Sequence, residues 1–496
     1  MRPAWLIVLA TVSVSACAGG GEGGGGAASL SVLPVSGPTA PGAIANSPGA
    51  SPSPAASASP TGAVAVLPAH IPTWAFDEYG AEGASASGAS VRRYLTYAEG
   101  GYGNNKAQAD CDGVPSSGCS SVFYVDPNFV YAAPGCASPQ ANLFLAAANE
   151  TWFVHETGYA DSAHRVSGSY QQTCNASTET TPVYLTDQNN PAVVAFFASY
   201  MMANADGWDA YFMDDTSASV LTQAYGPGGG FCANDPPDDW CTSTAEYPTD
   251  ASVVAGHSAL LAALNHSSGT PFRGFFNGIG FDGNSPENLN LIAAGNGRLL
   301  GAVCENCVVN AGVLESANFQ RVLDAMAAID TVPGSAFVEL NTGSSSPGSA
   351  DEITQRLVTT AIAWLGFSPG QTIVFPNLEE TTENLAVWPE DAIYPSQPLQ
   401  SMSTSAADIA VASGVWRREF GACSLNAAAI GPCAAILNAS NAAVVIQSTW
   451  LKQAYGHLVS VSGGDIGSGG TVAVSQGTFA VNSTLVPAGA AVLLAR

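Results

Sequence analysis

Eight short apolar runs, each but the last trailed by a segment of helical texture, restrict this chain more than any other feature. The runs are "TWAFDEYG" (73–80), "SVFYVDPNFVYA" (121–132), "TWFVHETG" (151–158), "GWDAYFMDDTSA" (207–218), "FRGFFNGIG" (272–280), "RLLGAVCENCVV" (298–309), "SAFVELNTG" (335–343) and "TIVFPNLEE" (372–380). Their apolar cores show little polar alternation, as strands buried on both faces require. The segments between them, 89–98, 141–150, 190–205, 252–269, 286–295, 318–330 and 350–367, read as helices. That of 190–205 carries Pro at its start, where a missing N–H costs nothing.

Strand and helix in strict alternation predict an α/β fold. Eight such units favour a closed (β/α)8 barrel over an open doubly wound sheet. No Gly-rich phosphate-binding turn follows the first run, which argues against a dinucleotide-binding sheet. After about Ser413 the texture changes to short β-rich pieces such as "GVWRREFGACSLNA" and "GTVAVSQGTFAVN", separated by Gly, Ser and Asn turns. They predict a small antiparallel β-sandwich domain behind the barrel.

The first residues, "MRPAWLIVLATVSVSACAGG", set one Arg before a short apolar stretch ending in small residues, the pattern of an export signal. Val14-Ser15-Ala16-Cys17 resembles a bacterial lipobox, which implies cleavage before Cys17 and lipid on its thiol. From Ala18 to Val66 the chain is mostly Gly, Ala, Ser and Pro, too poor in bulky apolar groups to offset its ordering entropy. The expected divisions are a signal over 1–17, a flexible tether over 18–66, a barrel over 67–413 and the β domain over 414–496. Of 11 Cys, setting Cys17 aside leaves an even number, suited to disulfides in an oxidising compartment. The simplest pairing is Cys111 with Cys119, Cys136 with Cys174, Cys232 with Cys241, Cys304 with Cys307, and Cys423 with Cys433.

Barrels place their chemistry at the C-terminal ends of the strands. Here those ends carry Asp77-Glu78, Asp126, His155-Glu156, Asp214-Asp215, Asn277, Glu305-Asn306, Glu339 and Asn341, and Asn377 and Glu379. Carboxylates and amides on one rim are what sugar hydroxyls need. Cleaving a glycosidic bond further requires two carboxyls, one protonated and one ionised. Asp214 is assigned as the ionised partner and Glu305 as the acid, because the apolar run around Glu305 would raise its pKa by desolvation. Asp77, Asp126, His155, Glu156, Asp215, Asn277, Glu339, Asn341 and Glu379 are candidate substrate contacts, with Glu339 the alternative acid. Asp209, early in its strand, reads as structural. Asp215 is equally a helix cap.

"GWDAYFMDDTSA" resembles the fourth-strand motif of bacterial glycoside hydrolases and glycoside hydrolase-like TIM barrels. "VWRREFGACSLNA" with the closing "LVPAGAAVLL" is similar to the β domain that often follows them. The resemblance implies a retaining or inverting glycosidase with Asp214 as the fourth-strand carboxylate. Some barrel clans pair that Asp with a sixth-strand acid, which Glu305 matches. A barrel that has lost catalysis and binds glycans at the cell surface is the alternative.

Other classes find less support. With 39 acidic against 13 basic residues, a net charge of -26 repels phosphate backbones, so no nucleic-acid partner is expected. The expected partners are a poly- or oligosaccharide and, through lipid, a membrane; the chain is expected to act as a monomer. The six His show no metal-ligand spacing, and no metal or other cofactor is expected. Cys304-x-x-Cys307 reads as a structural disulfide beside Glu305 rather than a redox pair. No G-x-S-x-G elbow marks a serine hydrolase.

Overall fold

The computed structural model describes residues 71–76, 95–100, 120–132, 139–174, 177–214, 216, 244–277, 286–305, 307–310, 312–341, 349–369, 371–375, 389–403, 405–462, 471–474 and 477–496. The signal, the tether, Asp77, Glu78, Asp215, Asn306, Asn377 and Glu379 lie outside these residues, as do Cys17, Cys111, Cys119, Cys136, Cys232 and Cys241.

The chain enters on strand β1 (Thr73–Phe76), followed by β2 (Leu95–Gly100) and β3 (Ser120–Val125). Then comes a long excursion: β4 (Phe129–Tyr131), helix α1 (Pro139–Ala147), the hairpin β5 (Ser167–Cys174) and β6 (Ser177–Leu185), and helix α2 (Pro191–Asn204). β4, β6 and β5 form a separate three-stranded sheet. Asn190 caps α2 by accepting from the Ala192 N–H, with Pro191 at the first turn. The main sheet resumes with β7 (Ala210–Met213), helix α3 (Asp250–Ala263), β8 (Gly274–Asn277), helix α4 (Pro286–Ala294) and β9 (Leu299–Glu305). A small ribbon of β10 (Val309–Asn310) and β11 (Val313–Leu314) precedes helix α5 (Phe319–Asp330), β12 (Ala336–Leu340), helix α6 (Ala350–Leu365) and β13 (Thr372–Phe375).

Eight strands, β1, β2, β3, β7, β8, β9, β12 and β13, pair in parallel, and β13 pairs back to β1 to close the ring. Successive side chains of a strand alternate sides. Trp74, Val122, Ala210, Phe212, Phe275, Val303, Ala336 and Val338 form one apolar cluster, the fill of the ring. Trp74 meets Phe275 edge-on at 4.9 Å and Phe212 at 5.9 Å. The intervening residues Phe123, Tyr211, Met213, Phe276, Cys304 and Phe337 belong to a second, larger cluster shared with the helices. Gly274 is required here: a Cβ would sit 2.2 Å from the Tyr211 carbonyl oxygen on the neighbouring strand.

Two sequence expectations need correction. The segment 89–98 is expected to be helical, yet Leu95–Gly100 is a strand, hydrogen-bonded to neighbours on both sides. Pairing in the ring overrides the local pattern. Conversely, 151–158 is no barrel strand. Glu150–Trp152 is a 3-10 turn, Phe153 and His155 make isolated bridges within the excursion, and Glu156 makes one to Thr244 beyond β7. The two errors offset each other, so Ala210–Met213 remains the fourth strand of the ring.

The last part opens with β14 (Ile393–Pro398) and β15 (Ala410–Ala412), followed by the long β16 (Val415–Leu425) and β17 (Ala428–Asn438). The short β18 (Val444–Val445), β19 (His457–Leu458), β20 (Ser460–Ser462), β21 (Thr471–Ala473) and β22 (Leu485–Val486) lead to β23 (Ala490–Ala495). A six-stranded antiparallel sheet runs β14-β16-β17-β23-β19 with β15 beside β16. It therefore begins upstream of residue 414, the boundary expected from the change of texture. One face, with Trp416, Phe420, Ala435, Leu437 and Leu493, joins the core that holds Trp364 of α6. The other face, with Val415, Ala434, Ile436 and Leu494, packs with Val486 of the β18–β22 ribbon. Helix α6 thus covers one face of the sheet and a two-stranded ribbon lies on the other. The Cys423–Cys433 disulfide joins the paired strands β16 and β17.

Candidate active site

Alternation decides which rim residues face the mouth of the ring. Counting along β7 from Ala210 and Phe212 makes Asp214 inward, and Phe275 does the same for Asn277. Val303 makes Glu305 inward, and Val122 makes Tyr124 and Asp126 inward. These residues meet. Asn277 donates from Nδ2 to Asp214 Oδ1 at 2.7 Å and to Glu305 Oε2 at 2.5 Å. Both N–H bonds of one amide are thereby used, one on each acid. The two carboxyl oxygens can be no farther apart than these contacts laid end to end, about 5 Å, within the spacing of retaining glycosidases. Tyr124 Oη donates to Asp214 Oδ2 at 2.6 Å, so each Asp214 oxygen accepts a hydrogen bond.

Glu305 ends β9 among buried Val303 and Cys304, and its carboxyl is pushed up to about 7. Desolvation is the main cause and the Asp214 charge adds to it, while the Asn277 N–H pulls the other way. The Cys304–Cys307 disulfide brackets Glu305, and both cysteines are buried. A buried bridge stiffens the loop and offers no exposed dithiol, as the structural reading of this motif expects. Asp126 is also buried. Its Oδ1 accepts the N–H groups of Asn128 and Phe129, while its Oδ2 has no hydrogen-bond partner. Burial, and then the Asp214 charge, hold its carboxyl well above the usual range.

Other expected rim residues lie elsewhere. Glu339 alternates with the inward Ala336 and Val338, so it points out of the ring. It is fully buried there, with Oε1 accepting from Asn341 at 2.8 Å and Oε2 unpartnered. Burial pushes its carboxyl up to about 8, and the nearby Asp391 charge adds to this. Glu339 cannot serve as the acid of this mouth. Asn341 accepts the Val309 N–H at 2.9 Å, tying β12 to the ribbon after β9. It is a structural brace rather than a sugar contact. His155 and Glu156 belong to the excursion, where Glu156 bridges to Thr244. Asp209 is structural as expected: its Oδ2 accepts the Ser121 N–H and hydroxyl at the opposite end of β3.

Sequence reasoning missed Tyr124. The signal was present, since Tyr124 precedes Asp126 by two and so shares its face. It also missed a chain of buried amides behind the mouth. His257 Nδ1 meets Gln188 Oε1 at 2.7 Å, and Gln188 Nε2 donates to Asn128 Oδ1. Asn128 Nδ2 donates to Thr216 Oγ1 at 3.2 Å, and that hydroxyl donates to the Asp214 carbonyl at 3.1 Å. These residues are far apart in sequence, and no local pattern joins them.

No family model matches the chain, and no curated protein does so at significance. Among solved structures, a family 39 glycoside hydrolase from Bacteroides cellulosilyticus is 7% identical over 86% of this chain and 81% of that one, with TM-score 0.41. A GH30 endoxylanase from Clostridium papyrosolvens is 9% identical over 86% and 96%, with TM-score 0.36. A cycloisomaltooligosaccharide glucanotransferase from Paenibacillus is 9% identical over 86% of this chain but only 55% of its own length, with TM-score 0.35. A pyruvate kinase from Cryptosporidium parvum is matched with TM-score 0.32. Glycoside hydrolases thus recur among the neighbours, but likeness at this level assigns neither family nor activity. The functional reading rests on the site.

Proposed function

We propose that this chain is a retaining glycoside hydrolase in which Asp214 is the nucleophile and Glu305 the general acid and base. The observation that carries the reading is the Asn277 amide bonded to both carboxyls at the mouth of the ring. It keeps the two bonded oxygens within about 5 Å of each other, closer than the spacing of inverting enzymes. Asp214 accepts a donor on each oxygen, the pattern of a carboxylate. Glu305, with its value near 7, keeps its proton at acidic pH and about half of it at pH 7. It donates that proton to the glycosidic oxygen as the C–O bond breaks, while an Asp214 oxygen bonds to the anomeric carbon. Glu305 then takes a proton from water, whose oxygen displaces Asp214. Asp126, whose carboxyl is held well above the usual range by burial, lies inward beside Tyr124 as a candidate sugar contact. The substrate is a poly- or oligosaccharide, and the fold proposed is a (β/α)8 barrel with an appended β domain. We propose further that the mature chain is exported and lipid-anchored at Cys17, acting as a monomer. Its leader sequence and the two disulfides support export.

The test is hydrolysis of a broad panel of bacterial and plant glycans by wild type, Asp214→Asn and Glu305→Gln. Reducing ends released by wild type and reduced at least about 100-fold in both variants support the assignment. Unchanged hydrolysis in either variant overturns that residue's role. Binding without hydrolysis across the panel replaces the enzyme with a glycan-binding protein.

A further inference from the structure

A second cluster of ionisable groups lies where the excursion between β3 and β7 meets residues 244–249, just before α3. A cavity of about 380 Å³ is lined by Thr151, His155, Ala160, Asp187, Asn190, Pro191 and Glu246. None of these belongs to the Asp214–Asn277–Glu305 clamp. The buried His155 ring is held on both nitrogens, by Glu246 at 2.7 Å and Glu150 at 3.0 Å. Its backbone N–H donates to the other Glu246 oxygen at 2.7 Å. Arg165 completes the row with two bonds to Glu150, at 2.7 and 2.5 Å.

Side-chain donors around this cavity are already engaged. The Thr151 hydroxyl donates to Asn149, the Asn190 amide donates to Thr151, and both His155 nitrogens face carboxylates. What remains toward the cavity is acceptor capacity on Asp187 and Glu246. The Asp187 carboxyl accepts the neighbouring backbone N–H groups of Asn189 and Asn190, which leaves lone pairs unused. The charges also leave a remainder: the Arg165 cation stands among three carboxyls, Glu150, Glu246 and Asp187, with the His155 ring bonded to the first two. Among the described residues no three His, Cys, Asp or Glu are placed to hold a metal ion. A hydroxyl brings an acceptor as well as a donor, and among the described lining side chains no donor is left to meet that acceptor. A primary ammonium brings three donors, no acceptor and the missing charge.

We propose that this cavity is a binding site for a primary ammonium group, with Asp187 and Glu246 as its acceptors. The site is independent of the glycosidase reading. Both amino sugars and lysine side chains present this group, and the test separates them. Burial and the Glu246 charge push Asp187 up to about 6, while His155 opposes the rise. Tyr247 is electrostatically coupled to Asp187 as well, with Glu150 and Arg165 behind His155. His155 has its own value raised, against a desolvation cost, by Glu246 and Glu150, and so stays charged across the acidic range. Asp187 ionises through pH 6 and the ammonium needs the ionised form, so binding strengthens as pH rises.

Calorimetric titration of the full chain with glucosamine and with Nα-acetyl-lysine amide tests this, using N-acetylglucosamine and the Nε-acetylated lysine derivative as controls. At least one amine is expected to bind saturably and about tenfold or more tighter than its acetylated control. Binding by glucosamine alone names an amino sugar, and by the lysine derivative alone a peptide. Wild-type affinity is expected to fall about tenfold from pH 7 to pH 5. Asp187→Asn, which keeps the Asn189 contact, is expected to lose about tenfold at pH 7. Saturable binding by neither amine, equal binding of the acetylated controls, or an affinity flat between pH 5 and 7 overturns the proposal. The wild-type pH series decides the matter even if the variant fails to fold.

Discussion

Asn277 shows how a residue can be visible in sequence while its work is not. Its place at the end of an apolar run marks it as a rim residue, but only geometry shows one amide restraining two acids. Its hydrogen bond favours the charged form of Glu305 and so holds that carboxyl down. Asn277→Ala removes the restraint, and we expect kcat to fall by about 100-fold, in the range seen when one preorganised donor is lost. The alkaline limb of the activity profile, set by Glu305 near pH 7, should move to higher pH. Tyr124→Phe should lower kcat by about tenfold, with a smaller change in KM, since it removes one donor from Asp214. Glu339 is the opposite lesson. It looked like a rim acid because it closes an apolar run, yet one step of strand alternation turns it outward. Its carboxyl titrates near 8 in the folded chain and near the ordinary value when unfolded. The unfolded chain therefore releases its proton first, and stability is lost as pH rises from about 4.5 to 8. Glu339→Gln should flatten part of that slope and unfold at higher urea than wild type at pH 8, by on the order of 4 kcal/mol. Equal midpoints at pH 5 and pH 8 in wild type would refute this.

At the scale of elements, buried strands with long apolar runs were legible and excursions were not. β7, β8, β9 and β12 lie where the runs predict, because their fill and their outer faces are both apolar. β2 was hidden in a segment rich in Arg and Tyr, since its identity comes from partners on both sides. The excursion confused the reading because Trp152, Phe153 and Val154 are as apolar and buried as a barrel strand, the first two in the large core outside the ring and Val154 in a cluster beside it. The joint between ring and β sheet carries its own prediction. Arg418 Nη1 donates to the carbonyls of Leu365 and Phe367, both at 2.8 Å, at the C-terminal end of α6. Those carbonyls have no continuing helix to bond them, and a cation suits that end. Burial pulls the Arg418 guanidinium down to about 10, still charged at neutral pH. Arg418→Met should cost about 2–3 kcal/mol in urea unfolding at pH 7, the worth of charge-assisted bonds lost from a buried site. A loss under about 0.5 kcal/mol would show that the joint is held by apolar packing alone.

Over the whole molecule, the ring and the antiparallel sheet share one apolar core through α6 rather than meeting at a wet boundary. An ion pair crosses the same region, with Arg356 of α6 bonded to Glu390 through two contacts of 2.6 and 2.7 Å just before β14. A chain ended at residue 388 would leave Trp364 and its neighbours without their cover. We expect it to aggregate on expression, whereas a soluble, cooperatively melting product would contradict a shared core. The central claim is that Asp214 and Glu305 cleave a glycosidic bond with retention. The most direct measurement is proton NMR of the anomer first released from the glycan that the panel identifies, before mutarotation scrambles it. The clamp, which keeps the bonded oxygens within about 5 Å, predicts that the product keeps the substrate's anomeric configuration. An inverted first product would contradict it, because a water molecule would then have to fit between two acids that one amide holds together.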